Sequence, residues 1–258
     1  GDIKIIDEKL IVEHELILKI KTTNEEFYQT FYCTPSSIKE LIVGNLLSSG
    51  RIKSKDEIVS LEINNTGTYA KVEVCSKLDY KSDEDDFDSL LINPNLIFES
   101  MHMNLCYSKL FCETGGAHCI GYLNKEKYLG AFEDVGRHNA LDKLIGHLNL
   151  TNKNPSEIAI ITSGRLSQDM VVKCINAKIK MIITKSAPTS MAYELCKKND
   201  ITLIGFVRKN RLNVYHQGNK LQIFNKFTLY NSLKQETTDT IKNTRVRVLK
   251  ETLFIKNN

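Results

Sequence analysis

The stretch SEIAIITSGRLSQDMVVKCINAKIKMIITKSAPTSMAYELCKKN, residues 156–199, decides the fold class. Two short apolar runs each pass through a small, polar turn into a segment with helical spacing. Such alternation predicts βαβ units, with helices covering a largely parallel sheet. The rhythm extends in both directions. KYLGAFE leads through DVGRH into NALDKLIGHL, and ITLIGFV ends in RKNRLNVY. The expected fold is therefore α/β, with a core of mostly parallel strands over residues 96–258 that ends in a basic C-terminal extension.

Residues 1–75 follow a different pattern. ELILKIKT, EEFYQTFYCT, EIVSLEIN and TYAKVEVC have the β-branched, aromatic and alternating character of strands, which suggests a smaller strand-rich N-terminal subdomain. One helix interrupts it, TPSSIKELIVGNLLSSG, where Ser37 and Glu40 are spaced as a capping box and Gly50 suits the far end. The acidic segment 76–95, SKLDYKSDEDDFDSLLINPN, reads as a mobile linker. A helix is expected from about Asn95 to Cys112.

The chain has 258 residues and is 41% hydrophobic, enough for a sizeable core. No run approaches the ~20 apolar residues of a membrane span, so no membrane partner is expected. The start, GDIKIIDEKL, lacks a secretory pattern, and Gly1 in place of Met reads as a trimmed beginning. Seven scattered cysteines do not form a disulfide framework, so reduced thiols in the cytoplasm are expected. No pair has zinc-knuckle or thioredoxin-like spacing. A net charge of +4 is too small to argue for nucleic acid, and the acidic run and basic tail read as solvated faces.

The turns carry the chemistry. TGGAH, DVGRH, SGRLS and SAPTS each place glycines or small hydroxyl residues where an element begins. Gly115 and Gly116 permit close backbone approach. Ser163, Ser167, Thr189 and Ser190 can cap helices or donate to an anion. In open α/β sheets the ligand crevice lies beyond the carboxyl ends of the strands, and helix N-termini there favour phosphate. Arg137, Arg165, Arg208 and Arg211 lie in or beside these ends. Singly, each turn has a plainer explanation. A Ser or Thr before a helix, as in SAPTS, reads as a cap, Asp134 as a cap with Arg137 as its partner, and His118 and His138 as structural hydrogen-bonders. Together they point to a phosphate-bearing ligand. No P-loop, GxGxxG or GxSxG pattern occurs. A zinc deaminase would need His-x-Glu and Pro-Cys-x-x-Cys turns, whereas AHCIG and SAPTSM lack the Glu and both cysteines.

ETGGAH, EDVGRHNALDKLIG, SGRLSQDMV, SAPTSMAYEL and ITLIGFVRKNRLNVY, in this order, resemble the formate dehydrogenase accessory proteins, the FdhD-type sulfur carriers. TPSSIKELIVGNLLSSGRI adds a weaker, collinear match. The resemblance implies a cytidine-deaminase-like α/β core without zinc. It also implies sulfur transfer from a cysteine desulfurase, as a cysteine persulfide, to the molybdenum or tungsten cofactor before apo-formate dehydrogenase receives it. The implied cargo is bis-molybdopterin guanine dinucleotide, with a guanine nucleotide as its mimic, and a homodimer is expected. The family's cofactor segment falls on Phe206, Val207, Arg208, Lys209, Asn210 and Arg211. The loop residues Gly115, Gly116, His118, Asp134, Arg137, His138, Ser163, Arg165, Ser186, Thr189 and Ser190 complete the expected cofactor site.

One element departs from the family pattern. The sulfur-carrying loop is typically Cys-Gly-x-Cys-Gly, and this chain reads VEVCSKLDYKSDEDDFD there. Cys75 stands at the first cysteine, Leu78 at the second, and both glycines are missing. A persulfide needs one reachable, activated thiolate, for which Lys77 is a local activator. Cys75 equally reads as the small apolar end of a strand, and Cys119 is the next candidate. Three readings stay open: a sulfurtransferase using Cys75, a cofactor chaperone without sulfur chemistry, and a zinc-dependent hydrolase.

Overall fold

The structure, a computed structural model, describes residues 8–75, 89–223, 240–241 and 244–248. The chain first forms β1 (His14–Lys21) and β2 (Glu26–Cys33), then α1 (Ile38–Ser48), β3 (Ile58–Ile63) and β4 (Tyr69–Val74). These strands make one sheet in the order β2-β1-β4-β3. Its alternation is strict. Leu16, Leu18, Ile20, Ala70 and Val72 are fully buried on one face, while Ile17, Lys19, Tyr28, Tyr69 and Lys71 look outward.

α1 covers the buried face, and nearly every residue of it is inaccessible because α4 (Arg137–Leu150) lies on its other side. The two helices touch through their main chains. A Cβ built on Gly44 would lie 1.7 Å from the Asp142 carbonyl oxygen, and one on Gly146 would lie 2.0 Å from that of Glu40. The expected capping box at Ser37 does not form. Ser37 is left-handed (φ 53°, ψ 43°), which turns its hydroxyl away, and it makes no side-chain cap. A true capping box occurs instead at Ser54 and Glu57.

The second sheet has the order β13-β14-β11-β10-β9-β8-β6-β7. Its strands are β6 (His118–Leu123), β7 (Tyr128–Asp134), β8 (Ala159–Thr162), β9 (Met181–Thr184), β10 (Thr202–Arg208), β11 (Arg211–His216), β13 (Thr240–Ile241) and β14 (Thr244–Val248). The sequence expectation of mostly parallel strands is corrected here, because the sheet is mixed. Only β8–β9, β9–β10 and β11–β14 pair in parallel. Parallel pairing needs a crossover, which α5 (Gln168–Asn176) and α6 (Ser190–Lys198) supply. Short connections make β6–β7 and β10–β11 antiparallel hairpins.

Successive residues of β8 and β9 point to opposite cores. Ile160 and Ile182 pack toward α4–α6, and Ile161 and Ile183 toward α2 (Pro94–Tyr107). The helix expected over 95–112 is broken at Ser108, whose extended backbone separates α2 from α3 (Lys109–Thr114). The Ser108 hydroxyl caps α3 and donates to Glu133 at 2.6 Å.

Part of the linker expectation is also corrected. Residues 76–88 lie outside the described residues. Leu90–Leu91 form β5, paired with β12 (Leu221–Gln222), and Ile92 is buried. Asn93 caps α2, with Pro94 at its first position. Of the basic C-terminal extension, only β13, β14 and the residues up to Ile223 are described.

Because the α1–α4 crossing has no side chain to yield, Gly146→Ala should cost more than ~2 kcal/mol. Urea unfolding measures this, and an unchanged midpoint would contradict the close backbone contact.

Candidate functional site

The strand registers bring the predicted turns to one edge. Thr162 pairs with Thr184 and Ile183 with Ile204, so β8, β9 and β10 end together. β6 runs the other way, with Ile120 opposite Thr162, and its first residue, His118, faces Asp134 at the end of β7. Arg208 and Arg211 close the β10–β11 hairpin at the same edge. TGGAH, DVGRH, SGRLS, SAPTS and FVRKNR therefore share a rim, and α4, α5 and α6 all begin there. Their first-turn N–H groups give the rim a positive potential.

The central loops are tied to one another. Thr184 Oγ1 donates to the Gly164 carbonyl at 2.8 Å and Ser186 Oγ to the Ser163 carbonyl at 3.2 Å. The Thr189 N–H reaches the Leu166 carbonyl at 3.0 Å, and the Phe206 N–H reaches that of Ser186 at 3.3 Å. Ser186 thus spends its hydroxyl on the scaffold. Thr189 is a plain N-cap that accepts from Ala192, while Ser190 is exposed at the start of α6. The buried Ser167 hydroxyl has no partner.

In DVGRH the expected Asp134–Arg137 pair does not form. Asp134 is fully buried, 2.6 Å from the equally buried Lys143 ammonium. It also accepts from the Thr34 N–H and hydroxyl, the Gly136 N–H and the Asn139 amide. With no surface exposed, Asp134 lies beneath the rim rather than on it, a correction to its place among the ligand contacts. Thr34 carries no local signal because it lies a hundred positions from Asp134, and Lys143, nine positions on, meets it only once α4 packs beneath the rim. Arg137 is left with a buried, unpartnered Nε. Its positive charge acts on both neighbouring histidines. Burial, then Arg137, lowers the pKa of His118, and the same causes followed by Lys173 lower that of His138.

At the hairpin, Phe206 has φ +52° beside a register shift between Gly205 and Arg208. An aromatic residue in that region is strained, and its ring is partly exposed. Val207 is a second correction. Its side chain is buried in the core, so only its backbone can meet a ligand. Arg208 donates to the Lys185 carbonyl, while Arg165, Lys209, Asn210 and Arg211 are exposed. Gly115 ends α3 with φ +67°, and Gly116 lies beside Ile11. Among the described residues no group of three or more His, Cys, Asp or Glu could hold a metal ion. No helix there is long and apolar enough to cross a membrane.

Cys75 does not join the rim. It is exposed just past β4, and its N–H donates to the Glu57 carbonyl at 2.9 Å. The nearby Lys55 N–H reaches Asn149, at the C-terminal end of α4. α4 starts at the rim, and its 14 residues span about 21 Å at 1.5 Å per residue. The Cys75 thiol and the rim therefore sit at opposite ends of this helix. Lys77 and Leu78 lie outside the described residues. Cys119 is corrected as the next candidate thiol. Burial pushes it up to about 12, and its Sγ–H donates to Asn104 at 3.3 Å. Burial likewise raises Cys33 to about 11 and Cys196 to about 12, and raises Cys174.

Alkylation of the native protein at pH 8 should modify Cys75, Cys106 and Cys112 and spare Cys33, Cys119, Cys174 and Cys196 until it unfolds. Peptide mass mapping reads the pattern, and early labelling of Cys119 would reverse its demotion.

The chain is 31% identical over 234 residues to the sulfur carrier protein FdhD of Bacillus licheniformis, covering 81% of this chain and 89% of that one. It is 30% identical over 241 residues to the Bacillus subtilis protein of the same name, covering 83% and 91%. A crystal structure from Desulfotalea psychrophila, described as a formate dehydrogenase accessory protein, superposes with a TM-score of 0.68. Its identity is 27%, over 82% of this chain and 89% of that one. A sequence model of the FdhD/NarQ family matches residues 72–222, which include the TGGAH turn, the rim loops and Cys75, and the chain belongs to that family.

Proposed function

We propose that this protein is a sulfur carrier for the maturation of a formate dehydrogenase. In this reading the rim holds the diphosphate and guanine ends of a bis-molybdopterin guanine dinucleotide, carrying molybdenum or tungsten, as cargo. The observation that carries it is the convergence of the turns and helix N-termini on one edge, beside a buried arginine Nε with no partner. The cargo's negative charge would answer that donor. Arg165, Lys209 and Arg211 are exposed and can reach phosphate oxygens, and the partly exposed ring of Phe206 offers a face to a base. We read the core as a cytidine-deaminase-like scaffold adapted to binding, working as a cytoplasmic homodimer.

Sulfur enters at the other end. The Cys75 thiolate attacks the outer sulfur of a persulfide on a cysteine desulfurase. The donor's S–S bond breaks, its thiolate leaves, and Cys75 holds the new persulfide. Because Cys75 and the rim lie at opposite ends of α4, receipt and delivery are separate events. In delivery the Cys75 S–S bond breaks, its outer sulfur passes to the cargo's metal as sulfide with two electrons from a thiol reductant, the Cys75 thiolate is released, and the apo-formate dehydrogenase takes the cargo. The same separation, with Leu78 in place of a second cysteine, favours a second reading in which the protein is a cofactor chaperone without sulfur chemistry.

Mass spectrometry after incubation with a desulfurase and cysteine distinguishes them. A carrier gains ~32 Da on the Cys75 peptide and Cys75→Ala does not, whereas a chaperone gains nothing. Calorimetry with guanosine diphosphate tests the rim. Arg211→Ala should weaken binding by ~1.5–3 kcal/mol. Phe206→Gly should weaken binding yet raise the melting temperature, since glycine relieves a left-handed backbone costing ~1 kcal/mol. Unchanged binding in both variants would remove this hairpin from the site.

A further inference from the structure

His138 follows Arg137 in the first turn of α4, and His118 opens β6 in register with Asp134, three residues before that helix begins. Arg137 thus acts through its charge on two half-buried imidazoles. The carboxylate that would neutralise it, Asp134, is occupied by Lys143. The cluster therefore holds one fixed positive charge whose Nε has no hydrogen-bond partner, in the first turn of a helix.

We propose that His118, Arg137 and His138 form one anion subsite of the rim, and that an anion binding there draws protons onto the histidines. The inference rests on the reading of the rim as the place that holds the cargo's diphosphate. Without a ligand, burial and Arg137 keep both imidazoles neutral. Asp134 opposes this at His118. At His138 Lys173 adds to it, and Asp169 and Asp142 oppose it. An incoming diphosphate offsets the Arg137 charge and favours the imidazolium forms, so the positive charge of the subsite rises only when it is filled. The sign follows from linkage. A group depressed in the free protein and raised in the complex takes up a proton on binding, so affinity increases as pH falls through the window between those two values. A rim with this property holds a dianionic linkage tightly and discriminates against neutral ligands of the same shape.

The probe is a guanosine diphospho-sugar, because its diphosphate is a diester and keeps its charge across the range. Calorimetric titration of the full chain at pH 6.0, 7.0 and 8.0, in buffers of different ionisation enthalpy, reads both affinity and protons exchanged. The expected result is net proton uptake, with binding roughly three- to thirtyfold tighter at pH 6.0 than at pH 8.0. His118→Asn and His138→Asn, singly and together, should flatten that dependence and lower the number of protons taken up on binding. Should the double variant misfold, the single variants and the proton count of the unaltered protein decide. Binding without proton uptake overturns this inference and leaves the rim reading intact. No binding at any pH overturns both.

Discussion

The buried ion pair between Asp134 and Lys143 is the contact on which the molecule depends. Two charges with no solvent exposure, 2.6 Å apart, are tolerable only because every lone pair and proton near them is satisfied. Thr34 gives Asp134 its N–H and hydroxyl, and Lys143 returns a bond to the Thr34 hydroxyl at 2.6 Å. Thr34 directly follows β2, Asp134 ends β7, and Lys143 lies one helical turn and a half into α4. A single carboxylate thus joins the N-terminal sheet, the main sheet and the helix that opens the rim. Removing one partner would strand the other charge inside, which is why the pair is a junction rather than a source of net stability.

A second network repeats the device at Asp142, the residue before Lys143 in α4. Asp142 accepts from Ser48, Asn45 and Lys173, linking α1, α4 and α5. Its carbonyl is also the atom that would collide with a side chain at Gly44. The helical layer is therefore fixed twice, once by polar bonds and once by backbone contact. This stiffness is what lets exposed loops present groups such as Arg165 and Arg211 from a common edge.

Much of this was legible in the sequence. The alternating and apolar runs are strands, and DVGRH, SGRLS and SAPTS lead into helices, because short apolar runs and small turn residues are local signals. The gathering of those turns also followed, from the rule that places crevices beyond strand ends. Sheet direction was less legible. TGGAH was read as a turn, yet His118 begins β6, whose antiparallel pairing with β8 depends on contacts far apart in sequence. Ser37 had the right letters for a cap and the wrong backbone. Leu90 and Leu91 looked like linker because their partner strand lies at residues 221–222. Asp134 was seen as polar and near the ligand, but its true partners, Thr34 and Lys143, meet it only in three dimensions.

The glycine crossing of α1 and α4 has one more implication. Where two main chains touch, the spacing between layers is set by atoms every residue shares, and no rotamer can adjust it. A homologue with a bulky residue at either position must hold its helices farther apart and re-seat the sheet above them. Two letters of sequence thus serve as a ruler for interlayer distance, readable in any related chain before its coordinates are known.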